Sequence, residues 1–207
     1  METGMIVSVI NLKGGVGKTT SAMALAEAAT RRGLRAQVLD CDPQASASTW
    51  EALVEEAGEG SLPFEVRPAN VAVLRRLGAD REGVTMIDCP PTGNVTDEAM
   101  RVADFVVVPT CPNSADVQKT WDTLDALERS GRQYGVLLTK VNPQTRSYRA
   151  AVEALSERGA SVFDAQVPLR EMMKNYFGNP FGPELWGYQE AWGELEGFME
   201  GGDRDVA

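Results

Sequence analysis

The sequence contains no histidine. The usual general base at neutral pH and the commonest metal ligand are therefore missing, and any catalysis has to run on carboxylates, lysines, backbone amides and a metal ion. Cysteine is scarce. Cys41, Cys89 and Cys111 are odd in number and show no CxxC spacing, which argues against a disulfide framework and agrees with a reducing compartment. No run approaches the ~20 apolar residues that a bilayer span requires. The start, Met1-Glu2-Thr3-Gly4, has no basic segment and leads straight into a strand-like run, so no signal peptide is expected and a cytoplasmic location follows by default. A basic excess is also missing: the net charge is −10, which for the chain as a whole argues against nucleic acid.

What is there has ordinary globular proportions, with 43% apolar and 24% charged residues in 207, enough for a single domain over 1–207 with a sizeable core. Short apolar runs alternate with longer amphipathic segments. Strands are expected at 5–10, 36–40, 64–67, 84–88, 105–109, 136–141 and 161–167, and helices at 18–32, 47–57, 71–77, 97–103, 115–130 and 147–158. Several strand runs are continuous in Val, Ile and Leu rather than alternating, the pattern of strands buried on both faces. Repeated βα order predicts an α/β fold with a mostly parallel, doubly wound sheet of about seven strands flanked by helices. In such sheets ligands bind at the carboxyl ends of the strands. Residues 178–187 (GNPFGPELWG) read as a loop, and 197 onward as a frayed acidic end. No domain is expected ahead of the first strand, because only four residues precede it.

The chemistry gathers at the predicted strand ends. Asn11-Leu12-Lys13-Gly14-Gly15-Val16-Gly17-Lys18-Thr19-Thr20 follows the first strand and opens the first helix. Glycines let backbone N–H groups turn inward around phosphate oxygens, and the helix N-terminus adds its dipole. Lys18 can reach the β- and γ-phosphates, and Thr19 can place its hydroxyl on Mg²⁺. This predicts a P-loop NTPase. Two carboxylate segments, Asp40-Cys41-Asp42-Pro43-Gln44 and Asp88-Cys89-Pro90-Pro91, close the second and fourth strands. Phosphoryl transfer needs charge neutralisation and an oriented nucleophile, which carboxylates beside Mg²⁺ supply.

The loop departs from the standard P-loop: Leu12 stands where a glycine is usual, and a second lysine, Lys13, precedes the glycines. The segment KGGVGKTT resembles the deviant Walker A motif of the ParA/MinD ATPases, and DCDPQ and DCPP resemble that family's DxDPQ and DxPP elements. The resemblance runs from about Met5 to Lys174. It implies ATP and Mg²⁺ as cofactors and a slow, partner-stimulated ATPase. Lys13 would act in trans across a nucleotide-sandwich homodimer, Asp42 would position the attacking water, and Thr19, Asp42 and Asp88 would hold Mg²⁺, largely through water. Asp40 would support the loop and the metal's water shell. Thr139-Lys140 and Pro168-Leu169-Arg170 look like segments that border the adenine. Thr139 stands where many relatives carry an asparagine that reads the base. The nitrogenase iron-protein branch uses cysteines near this site, but the surroundings of Cys89 and Cys111 do not look like its ligand segments, and three small buried cysteines are expected.

Within the family, the chain most resembles short ParF-type ParA partition proteins without an N-terminal helix-turn-helix domain. That implies ATP-dependent, sequence-nonspecific binding of double-stranded DNA, association with the nucleoid, and a ParB-like adaptor on the cargo. The charge distribution gives this some room. Residues 184–207 hold seven acids against one arginine, whereas 129–174 hold eight basic residues against four acids. In that basic section Arg146, Arg149, Arg170 and Lys174 are the candidate DNA contacts. A MinD-like membrane-positioning ATPase would need a basic amphipathic tail, and this tail is acidic and interrupted by glycine. The apolar residues Trp192, Leu195 and Phe198 fit core packing better. A metabolic ligase on the same scaffold, related to dethiobiotin synthetase, would need a small-substrate pocket and would have no use for Lys13 in trans.

Overall fold

The computed structural model describes residues 4–58, 60–78 and 82–202. Seven strands form one all-parallel sheet: β1 (Met5–Val9), β2 (Ala36–Asp40), β3 (Glu65–Pro68), β4 (Val84–Asp88), β5 (Phe105–Thr110), β6 (Tyr134–Val141) and β7 (Val162–Pro168), in the order β3-β2-β4-β1-β5-β6-β7. The connecting helices are α1 (Lys18–Arg31), α2 (Ser46–Ala57), α3 (Val71–Leu74), α4 (Asn94–Val102), α5 (Ser114–Ser130) and α6 (Arg146–Arg158). After β7 come a 3-10 turn (Glu171–Asn175) and α7 (Tyr188–Gly202).

The strands separate two cores by simple alternation. In β1, Met5, Val7 and Val9 face a cluster that includes Met23 and Leu25 of α1, Trp50 of α2, and Tyr188, Trp192 and Leu195 of α7. Ile6 and the following Ile10 face the opposite cluster, with Leu74, Ala99, Leu124 and Leu155 from α3 to α6. The same split separates Phe105 and Val107 from Val106 and Val108 in β5. Both faces are covered, so nearly every position of the central strands is apolar, as the continuous runs predict.

Both sheet edges are closed by a glutamate from a neighbouring helix. At β3, Val66 N–H donates to Glu51 Oε1 of α2 at 2.8 Å. At β7, Asp164 N–H and Ala165 N–H donate to the two carboxylate oxygens of Glu194 of α7, at 2.9 and 2.7 Å. An unpaired edge is a template for other strands, and a carboxylate that takes its free N–H groups removes it.

Several boundaries differ from the sequence-based expectation. α3 ends at Leu74 rather than Leu77, a short helix that starts where the Asn70 side chain accepts from Ala72 and Val73 N–H. α4 begins three residues early, at Asn94, because Gly93 takes φ 124 and turns the chain there. The fraying expected from Gly197 does not begin there. α7 continues through Gly202 because Tyr188, Ala191, Trp192 and Leu195 lock its inner face into the core. Core packing of Trp192 and Leu195 is as expected, and Phe198, at the rim, still meets Phe105 at 5.0 Å between ring centroids. The segment 178–187 is a loop, tied by Arg31 to the carbonyls of Gly182 and Pro183.

Replacing Glu194 with Ala is expected to destabilise the fold by about 1–2 kcal/mol, for two charge-assisted bonds in a half-buried position, and to raise aggregation through the bared β7 edge. Urea unfolding with light scattering checks this. Unchanged values for both would show that water satisfies the edge equally well.

Candidate functional site

The switch in strand order falls at β1, which is flanked by β4 and β5. The loop 11–17 leaves the end of β1, 41–45 leaves β2, and 89–93 leaves β4, so the three motifs meet above one end of the sheet. Gly15 takes φ 78 and Gly17 φ 93, a left-handed backbone that glycine adopts without a Cβ penalty. Gly17 is the N-cap of α1, and no side chain caps that helix. The first N–H groups of α1 are therefore left to an anion.

A cleft of about 680 Å³ opens over this loop, lined by Gly14, Gly15, Gly17, Lys18, Thr19 and Thr20, with Asp42, Pro43 and Gln44 opposite, and Trp50 and Phe177 at the far wall. It continues into a pocket of about 280 Å³ lined by Thr139, Lys140, Val167, Pro168, Leu169 and Arg170, together with Met173 and Tyr188. Gly17, Thr20 and Lys140 border both spaces. The polar cleft next to the helix N-terminus has the chemistry for phosphates, and the more apolar pocket has the character for a nucleoside.

Two acidic side chains have distinct settings. Asp42 lines the cleft, and one carboxylate oxygen accepts from Gln44 N–H at 2.9 Å, which orients it. Asp88 is fully buried at the end of β4; the Thr19 hydroxyl approaches its carboxylate, but neither oxygen has a well-formed hydrogen bond. Burial pushes its pKa up to about 7, against the lowering influence of the Thr19 hydroxyl and of Lys18. Lys18 in turn is held below the usual lysine range by burial, partly offset by Asp88 and Asp42; its ammonium donates to Lys13 O at 3.1 Å. An unpaired buried carboxylate is costly, and a hard cation beside it removes that cost. The donor set fits Mg²⁺: Asp88 and Thr19 would hold it, with Asp42, whose charge acts on Asp88, lining the same cleft as Thr19. Bound there, Mg²⁺ would neutralise phosphate charge. Asp40 is tied into the loop that follows it: its oxygens accept from Asp42 N–H, Ser48 N–H and Ser48 Oγ.

The entry of the loop rests on one face of α5. Thr120 Oγ1 lies 3.1 Å from Asn11 Nδ2, Thr123 Oγ1 accepts from Leu12 N–H at 3.2 Å, and Asp116 Oδ1 lies 3.9 Å from Lys13 Nζ. Positions 116, 120 and 123 share a helical face. Sequence reasoning missed this support, and also Asn11, Met173, Tyr188, Trp50 and Phe177. The available signal was two threonines and an aspartate at helical spacing on an otherwise apolar face. Of the predicted residues, Val16 has a fully buried side chain, so only its backbone can serve a ligand. Lys13 is 41% exposed and points toward Asp116, outside its own cleft. The three cysteines are free and buried, and the described residues contain no cluster of metal-ligating side chains that includes them.

Residues 7–178 match the CobQ/CobB/MinD/ParA nucleotide-binding domain. The chain belongs to this family. It is a nucleotide-binding ATPase domain of that family. It is 39% identical over 170 residues to the maintenance of carboxysome distribution protein A of Gloeobacter kilaueensis, covering 77% of this chain and 74% of that protein. It is 27% identical over 227 residues to the chromosome partitioning protein ParA of Caulobacter vibrioides, covering 84% and 85% of the two chains. In fold it is similar to the septum site-determining protein MinD of Pyrococcus horikoshii, solved with Mg-ADP, at a TM-score of 0.76 and 18% identity over 95% of this chain and 97% of that one.

The buried Asp88 makes a prediction with a definite sign. Its folded pKa lies above the ordinary carboxylate value, so stability of the metal-free protein falls as pH rises from about 4 to about 7 and levels off above that. Asp88→Asn keeps the side chain neutral. Its melting temperature is expected to match wild type near pH 4 and to exceed it increasingly up to pH 7, by about 2–4 kcal/mol in stability, while Mg-dependent hydrolysis is lost. Parallel pH curves for the two proteins would remove the buried charge from the account.

Proposed function

We propose that this chain is a cargo-positioning ATPase that works as a switch between a monomer and an ATP-bound sandwich homodimer. The observation that carries this reading is Lys13. It belongs to the phosphate loop, yet its side chain, 41% exposed, does not line its own cleft, and its ammonium is only loosely held by Asp116 at 3.9 Å. A cation so placed suits the phosphates of a second copy. The named roles follow. Lys18 and the amides of 14–20 bind phosphates, Thr19 and Asp88 hold Mg²⁺, and Asp42 orients the attacking water. Lys13 completes the partner's site. The names of the relatives, a carboxysome distribution protein and a chromosome partitioning protein, support positioning as the task.

The ATP dimer would hold nonspecific double-stranded DNA in the cytoplasm, on the nucleoid, until a ParB-like cargo adaptor stimulates hydrolysis. Plasmid or chromosome DNA, or another assembly, would be the cargo. The basic section is smaller as a surface than as a count. Arg158 is committed to Asp125, Glu128 and the Trp121 ring, and Arg132 donates to Ala103 O. Arg146 and Arg149 stand exposed at the start of α6. Arg170 lies over the Trp186 ring at 5.4 Å, and the side chain of Lys174 lies outside the described residues. Arg146 and Arg170 lie just beyond the ends of β6 and β7, on the nucleotide side of the sheet, so a dimer could place both copies' arginines on one DNA. A membrane role finds no support: α7 buries its apolar face in the core, and no helix among the described residues is long and apolar enough to cross a membrane.

Binding to random-sequence duplex DNA with ATP or ADP across a salt series tests this reading. ATP-dependent binding is expected, with log K falling on log salt at a slope of about −4 to −5 for two or three phosphate contacts per protomer. Arg146→Glu with Arg149→Glu is expected to abolish it and leave ATP binding intact. No binding in either state at low salt would sink the DNA part. Asp42→Ala is expected to bind ATP and accumulate as dimer with turnover lowered at least a hundredfold. Wild-type turnover in that variant would remove Asp42 from catalysis.

A further inference from the structure

The pocket beside the phosphate cleft contains a threonine that looks like a base reader and is placed to do something else. Thr139, at the end of β6, is only 2% exposed. Its hydroxyl carries a single hydrogen, and the partner at 2.9 Å is the carbonyl oxygen of Val16, which can only accept. The thiol of Cys111, 3.6 Å away, is then the donor in its contact with the same hydroxyl. No hydrogen remains on Thr139 for a base. The next residue does the same work one step along the loop: Lys140 takes a left-handed backbone at φ 53 and donates its ammonium to Gly15 O at 2.7 Å.

A phosphate-binding loop aims its N–H groups inward, which turns its carbonyls outward, where each needs a donor of its own. Here the outward carbonyls are held one by one. Lys13 O accepts from Lys18, Gly15 O from Lys140, Val16 O from Thr139, and Gly17 O from Ser21 N–H. Two of these four donors come from β6, more than 120 residues away in sequence. On the neighbouring pocket wall Pro168 has no N–H, Leu169 N–H donates to Val141 O, the Tyr188 hydroxyl pairs with Ser21, and the Arg170 guanidinium lies over the Trp186 ring at 5.4 Å.

We propose that Thr139 is a positioning residue for the phosphate loop: it holds the Val16 carbonyl outward so that the loop's amides stay aimed at phosphate, and it takes no part in choosing the base. Discrimination between purine nucleotides is then set by the shape of the pocket formed by Val167, Pro168, Leu169 and Met173.

Calorimetric titration of the full chain with Mg-ATP, Mg-GTP and Mg-tripolyphosphate, which has the phosphates and no base, separates the two roles. Thr139→Val keeps the shape and removes the hydroxyl. It is expected to weaken all three ligands by the same factor, about tenfold, the size of effect that an unpaired buried carbonyl produces. The ratio of ATP to GTP affinity stays as in wild type. Thr139→Ser, which keeps the hydroxyl and drops the methyl, is expected to bind all three as wild type does. Loss of ATP affinity alone in Thr139→Val, or a changed ATP-to-GTP ratio in either variant, would make the residue a reader of the base; an equal loss for all three ligands in Thr139→Ser would show that the methyl and not the hydroxyl holds the loop. Equal affinity of wild type and Thr139→Val for every ligand would show that the contact with Val16 is idle.

Discussion

A loop that binds phosphate through its backbone has to keep several adjacent N–H groups aimed at one point, a conformation that leaves its own carbonyls without internal partners. The rest of this molecule is arranged around that demand. Gly15 and Gly17 supply the left-handed turns. β6 and α1 supply donors to the outward carbonyls. α5 holds the entry of the loop through Thr120 and Thr123. The sheet order then puts this loop above the central strand, beside the carboxylate that ends β4 and, one strand further out, the one that ends β2. Pre-organisation of this kind removes the ordering cost from the binding step.

Electrostatics sharpen the same centre. Lys18 and Asp88 lie buried together, each moved by burial toward its neutral form. Neither is comfortable without a ligand, and a phosphate with a divalent cation answers both. The site thus suits a pair of opposite charges delivered together, which is what a metal-bound nucleotide is. The surrounding surface does not share this character. With a net charge of −10, the chain as a whole repels polyanions, and exposed arginines such as Arg146 and Arg149 are local exceptions.

Lys13 stands apart from this economy. It occupies the loop without serving its cleft, and Asp116, the nearest acid, lies at the limit of an ion pair. Hydrogen-bonded support elsewhere in the loop makes this one exposed cation conspicuous. A residue held so loosely can change partner at little cost, since exposed ion pairs contribute little.

Much of this was legible from the sequence because it rests on local chemistry. Continuous apolar runs mark strands buried on both faces, Gly-Lys-Thr after a strand marks an anion-binding helix start, and Asp42 and Asp88 fall at strand ends where the sheet's twist and topology gather ligands. The tertiary structure decided the rest, because those contacts join residues that no periodicity relates. Asp116, Thr120 and Thr123 look like ordinary polar positions on α5 until β1 ends beside them. Glu51 and Glu194 look like solvent-facing acids until they close the sheet edges. Thr139 reads by position as a base contact, and only the 2.9 Å approach to Val16 shows where its one hydrogen goes. A sequence states which groups can donate and accept; folding decides which of them meet.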